Sequence, residues 1–179
     1  MKIKKLSAER AWRTYIGGCE IDKFHGIENG KDDHFPEEWI MSVTECRNAG
    51  REGIVGEGLS RLEENGEFFK DYINSNPEKL LGKRHYDKYG ANTGVLVKII
   101  DSAERLSIQV HPDKEKAIKL FNSPFGKTES WHILGGREVQ GEKPCIYFGF
   151  KKGVTEKHWR EVFDSQDIPK MLDCLNKIY

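Results

Sequence analysis

The 179-residue sequence predicts a mainly β domain with short helices, closing in a C-terminal helical segment. Three observations predict it. Apolar residues between 95 and 150 fall in short alternating runs, the period of a strand. Glycines punctuate residues 1–60 at Gly17-Gly18, Gly26, Gly30, Gly50, Gly53, Gly56 and Gly58, which reads as turns between short extended pieces. Beyond Thr155 the apolar spacing changes to i, i+3, i+4.

Residues 1–94 are read as loops, short strands and brief helices. Phe68, Phe69, Tyr72 and Ile73 stand at helical spacing between Glu67 and Asn74, and Asn76-Pro77-Glu78-Lys79-Leu80-Leu81-Gly82 has a cap, a proline at the first helical position and a glycine stop. Residues 95–150 carry the predicted strands Val95–Ile100, Leu106–His111, Lys127–Leu134 and Pro144–Phe150, with a helix at Lys114–Phe121 capped by Asp113. Residues 155–178 are predicted helical: Glu156–Phe163 after Thr155, then Ile168–Asn176, where Ile168, Met171, Leu172, Leu175 and Ile178 form one stripe.

The length suits one ordinary domain with its own core. Lys+Arg and Asp+Glu are both 29, interspersed along the chain, so there is no basic face or arm of the kind that binds nucleic acid or an anionic membrane. An aromatic content of 11% with a full complement of Leu, Ile and Val argues for a folded chain. The longest apolar runs fall far short of the ~20 residues of a membrane span. No apolar stretch follows the basic start Met1-Lys2-Ile3-Lys4-Lys5, so a secretory leader is not expected. Cys19, Cys46, Cys145 and Cys174 are widely spaced, and free thiols in a reducing cytoplasm are the expectation.

In Leu106-Ser107-Ile108-Gln109-Val110-His111 strict alternation would point Leu106, Ile108 and Val110 into a core and put Gln109 and His111 together on the other face. The same alternation in Lys127-Thr128-Glu129-Ser130-Trp131 groups Lys127 with Glu129. If the two strands face one cavity, an imidazole, an amide oxygen and a carboxylate converge, a donor set suited to Zn²⁺; a solvated polar face is the alternative. Lys98 interrupts the apolar run Val95–Ile100, so its ammonium either snorkels at a sheet edge or faces a polar cavity. In a cavity with Lys127 it would suit a phosphorylated or polyhydroxylated ligand.

Lys98-Ile99-Ile100-Asp101, Leu106-Ser107-Ile108-Gln109-Val110-His111-Pro112-Asp113 and Gly126-Lys127-Thr128-Glu129 together resemble, in order and approximate spacing, the type I mannose-6-phosphate isomerase (phosphomannose isomerase) family. Glu37-Glu38-Trp39 resembles the family's early Glu-x-Trp element. Trp12 resembles its N-terminal site-lining Trp, although Arg13 stands where a glycine often follows. The resemblance implies a cupin-type jelly-roll β-sandwich, with Gln109, His111 and Glu129 as zinc ligands. It places Trp12 and Lys98 around the sugar, and Lys127 and Glu37 as candidate acid/base groups. It also implies interconversion of mannose 6-phosphate and fructose 6-phosphate through a cis-enediol.

The family carries a further metal-ligating His in a Pro-x-Gly-x-x-His context and a more distant phosphate-side Arg, and the sequence stops at Tyr179 before either. The expectation is therefore the N-terminal portion of one such catalytic domain, an incomplete sandwich. Such a portion would hold metal weakly, turn over little alone, and be completed by a second segment or polypeptide. A reading from another class is a non-enzymatic cupin-like module that binds a sugar phosphate or a protein.

Overall fold

A computed structural model of the chain describes residues 3–179. It divides into two compact units, Met1–Glu129 and Ser130–Tyr179.

The first unit is built on a three-stranded antiparallel sheet in the order β1-β2-β3, formed by β1 (Glu9–Ala11), β2 (Glu37–Ile40) and β3 (Val97–Ile100). The central strand pairs Ala11 with Glu37 on one side and Trp39 with Lys98 on the other. Because β2 is covered on both edges, Glu37, Glu38 and Trp39 are all buried although two of the three are acidic. The same unit contains α1 (Cys19–Phe24), α2 (Phe69–Ser75), α3 (Pro77–Leu81), α4 (Lys83–Tyr89) and α5 (Lys114–Phe121). Ala11, Ile21, Trp39, Leu59, Leu62, Ile73 and Ala117 are its buried apolar residues.

α1 has no side-chain cap of its own, since Gly18 stands at its N-cap with φ of 107°. Asp101, directly after β3, supplies the missing acceptor: its Oδ2 receives the N–H groups of Gly18 at 3.0 Å and Glu20 at 2.8 Å. The approach is so close that a Cβ on Gly17 would fall 2.0 Å from the Asp101 carbonyl oxygen. β3 thereby fixes the 12–18 loop as well as β2.

The second unit contains β4 (Ile146–Phe150), α6 (Glu156–Ser165), α7 (Ile168–Asp173) and β5 (Leu175–Ile178), with β4 and β5 antiparallel. Val162, Met171, Cys174 and Leu175 form its buried set.

Several expectations hold at the level of elements. α5 begins at Lys114 with the Asp113 carboxylate accepting the Lys116 N–H, α6 begins with the Thr155 hydroxyl accepting the His158 N–H, and α3 starts at Pro77. Others are corrected. The structure is a mixture of seven helices and five short strands among the described residues, not mainly β. Leu106–His111 and Lys127–Leu134 are irregular rather than strands, and Val110 is 93% exposed instead of buried in a core. The final helix ends at Asp173, and Leu175–Ile178 is extended because it pairs with β4, Ile178 opposite Ile146. The sheets formed have three and two strands. No helix among the described residues is long and apolar enough to cross a membrane, and all four cysteines are free.

Candidate functional site

Two side-chain constellations in the first unit contain most of the residues singled out from the sequence. The first centres on Glu37, whose side chain is 5% exposed. Its Oε1 accepts the Tyr15 hydroxyl at 2.7 Å. Its Oε2 accepts the Trp39 indole N–H at 2.8 Å, lies 3.0 Å from Arg13 Nη2 and accepts from Lys98 Nζ at 3.3 Å. The sheet dictates this convergence: Glu37 and Trp39 share a face of β2, and Trp39 is opposite Lys98 on β3. Both cations also lie over the Trp39 ring, Arg13 at 4.9 Å and Lys98 at 5.9 Å from its centroid.

Burial alone would push the Glu37 carboxyl up. The Arg13 guanidinium, the Tyr15 hydroxyl, the Lys98 charge and the Trp39 indole together outweigh it and hold the group down at about 2. Burial and the neighbouring Glu37 carboxylate drive the Tyr15 phenol well above its ordinary range, so it remains a donor. Burial disfavours the Arg13 cation, but the Glu37 carboxylate more than compensates and raises its pKa.

Trp12 is attached to this cluster through Arg13. Its carbonyl accepts from Arg13 Nη1 at 2.9 Å and Asn48 Nδ2 at 3.0 Å, while its ring stacks on His34 at 5.3 Å and lies 5.0 Å from the Arg51 guanidinium. Arg13 also donates to Cys46 Sγ.

The second constellation joins the two segments that were expected to be strands. Lys127 donates its backbone N–H to the Pro112 carbonyl at 3.0 Å. Gly126 makes the crossing possible, since a Cβ there would sit 2.9 Å from the Lys114 nitrogen. The crossing brings His111 Nε2 to 3.0 Å from Glu129 Oε2 and Lys127 Nζ to 3.1 Å from Glu129 Oε1. Burial raises the Glu129 carboxyl, and Lys127 with His111 overcomes that to leave it lowered. Gln109 is exposed two residues before His111.

The donor chemistry of the pair fits a divalent ion. Two N/O ligands on a tetrahedral zinc at ~2.1 Å stand about 3.4 Å apart, close to the His111–Glu129 separation. Among the described residues no third His, Cys, Asp or Glu joins the pair in a cluster that could hold a metal ion.

The structure thus brings together Glu37 with Lys98, and His111 with Glu129 and Lys127, and links Trp12 to the first group. Sequence reasoning missed Arg13, Tyr15 and Asp101 as parts of this architecture. Segment 12–18 has no periodicity to read, and the only signal at Arg13 was a charged residue in the place of a glycine.

A sequence model described as the phosphomannose isomerase type I catalytic domain matches residues 52–126. That stretch contains Lys98, Gln109 and His111; Trp12, Glu37, Lys127 and Glu129 lie outside it. The chain is 32% identical over 85 residues to the probable mannose-6-phosphate isomerase GmuF of Bacillus subtilis, covering 43% of this chain and 27% of that protein. It is 42% identical over 75 residues to mannose-6-phosphate isomerase 1 of Arabidopsis thaliana, covering 40% and 17%. It is 37% identical over 71 residues to the mannose-6-phosphate isomerase ManA of Bacillus subtilis, covering 37% and 22%. The chain thus spans about a quarter or less of the length of these curated relatives. No solved structure matches it. Over residues 52–126 the chain resembles the catalytic domain of the type I phosphomannose isomerases.

Proposed function

We propose that the chain forms part of a cytoplasmic mannose-6-phosphate isomerase site, in which Gln109, His111 and Glu129 bind a zinc ion and Trp12, Lys98, Lys127 and Glu37 surround the sugar phosphate. The observation that carries the reading is the 3.0 Å contact between His111 and Glu129. These are residues of irregular segments 18 positions apart, and the resemblance independently names both as ligands. The four free cysteines suit a reducing compartment. The three-stranded sheet would be one portion of a cupin-type sandwich whose remaining strands come from further polypeptide.

Aldose–ketose isomerisation moves a proton between C1 and C2 through a cis-enediol, so it needs a group that exchanges a proton at carbon and positive charge near the developing enediolate oxygens. A bound zinc would supply Lewis-acid polarisation of a substrate or water oxygen. Lys127, 3.1 Å from Glu129 in the same constellation, would handle the proton. Glu37, ionised and bound by four donors, keeps the Lys98 ammonium oriented for the negative charge that develops in the substrate. Between the two candidate acid/base groups this favours Lys127.

Incubation of the protein with mannose 6-phosphate and zinc in deuterium oxide tests the proposal by proton NMR. Loss of the C2 proton signal faster than in protein-free buffer is expected. No exchange despite bound mannose 6-phosphate would overturn the isomerase reading and favour a sugar-phosphate-binding module.

A further inference from the structure

In the Glu37 cluster, Arg13 and Lys98 both approach the one buried Glu37 carboxylate, and both lie over the Trp39 ring. The two cations are not equivalent. Arg13 also engages the Trp12 carbonyl, Cys46 and Asn48, so its guanidinium is held on several sides at once. Lys98 has a 21% exposed side chain, and its contacts are the Glu37 carboxylate and the Trp39 ring, which leave ammonium protons available to a ligand.

We propose that Arg13 is a positioning residue. Its guanidinium, with the Tyr15 hydroxyl and Trp39 indole, locks Glu37 in one orientation, and Glu37 in turn aims the Lys98 ammonium at a sugar-phosphate oxygen. Arg13 acts on the ligand only through Glu37 and Lys98. The choice of Lys98 as ligand-facing cation rests on the isomerase reading; the clamp on Glu37 stands apart from it.

The geometry supports this division. A planar guanidinium fixes a carboxylate directionally, where a lysine supplies a point charge. Oε2 of Glu37 receives three donors and Oε1 one, so removing Arg13 frees the carboxylate to rotate toward Lys98 or away from Trp39. Asp101 holds the loop that carries Arg13 and Tyr15 by capping α1, which ties the clamp to β3, the strand that bears Lys98.

The test uses the full chain and two readouts. The Trp39 indole N–H resonance reports the charge of its acceptor. In the wild type it should hold its position down to about pH 3, and in Arg13→Gln it should titrate with a midpoint raised by about one unit or more, with Arg13→Lys intermediate. Calorimetric binding of mannose 6-phosphate should weaken in Arg13→Gln and in Lys98→Gln, and the double variant should bind no more weakly than Lys98→Gln alone. An unchanged indole titration in Arg13→Gln, or losses of affinity that add in the double variant, would overturn the proposal. If Arg13→Gln does not fold, Arg13→Lys with Tyr15→Phe, which each remove one part of the clamp, decide by the same indole titration. Failure of the wild type to bind mannose 6-phosphate would overturn the isomerase reading, and the indole titration would then decide the clamp by itself.

Discussion

Lys98 reaches diagonally across the β2–β3 ladder to place its ammonium 3.3 Å from Glu37 Oε2, over the ring of Trp39, its direct cross-strand partner. Lys98 thus stands on β3, an edge strand of the three-stranded sheet, with its ammonium turned inward over β2 to a buried carboxylate. The same contact makes Glu37 an obligatory counter-ion, because without it Lys98 and Arg13 would share a mostly buried site with no negative charge.

This gives stability a defined acid dependence. Glu37 is held at about 2 against an ordinary 4.5, so the folded state favours the ionised form. The resulting stabilisation, about 3 kcal/mol, is fully present above the unfolded value and is lost as pH falls through the folded one. Urea unfolding should show Glu37's share dropping by about 2 kcal/mol between pH 7 and pH 3. Glu37→Gln should be destabilised by a few kcal/mol at pH 7 and show a correspondingly flatter acid limb. Equal acid limbs in the two proteins would contradict the network.

Gly17→Ala should destabilise the first unit by roughly 1–3 kcal/mol, because its Cβ would meet the Asp101 carbonyl oxygen at 2.0 Å, where backbone must move. Asp101→Asn keeps an acceptor but loses the charge at the α1 N-terminus and should cost less, about 0.5–1 kcal/mol. Urea midpoints measure both, and the order of the two effects is the discriminating result.

In the second unit the Thr155 hydroxyl receives the His158 N–H at 3.2 Å. Thr155→Ala should cost about 1 kcal/mol and Thr155→Ser almost nothing, as read by hydrogen exchange at the first turn of α6.

Zinc should raise the melting temperature of the chain, and a chelator should reverse the rise, since a ligand that binds only the native state stabilises it. His111→Ala and Glu129→Gln should each abolish the shift. Thermal melts that respond to zinc equally in the wild type and in both variants would remove His111 and Glu129 from any metal site.

What could be read from sequence were the features decided within a few residues. Asp113, Thr155 and Pro77 each mark a helix start by local capping or backbone chemistry, and all three helices begin there. Strand pairing depends on a distant partner, which is why alternation misled. Leu106 to Val110 alternates as a strand would, but among the described residues no strand pairs with it and Val110 projects into solvent. The stripe through Leu175 and Ile178 has helical spacing, yet β4 takes that segment as its partner. His111 and Glu129 nevertheless meet, because a backbone hydrogen bond between Lys127 and Pro112 aligns the two segments without a regular ladder. Arg13 and Tyr15 reach Glu37 from an aperiodic loop shaped by Gly17 and Asp101, a long-range constraint that local pattern does not encode.

Calorimetric titration of mannose 6-phosphate into the zinc-loaded chain tests the central claim most directly. The sugar-phosphate site predicts saturable binding by the wild type, weakened about tenfold or more in Lys98→Gln, as expected for loss of a charge-assisted contact. Absence of binding by the wild type, or equal affinity in Lys98→Gln, would contradict it.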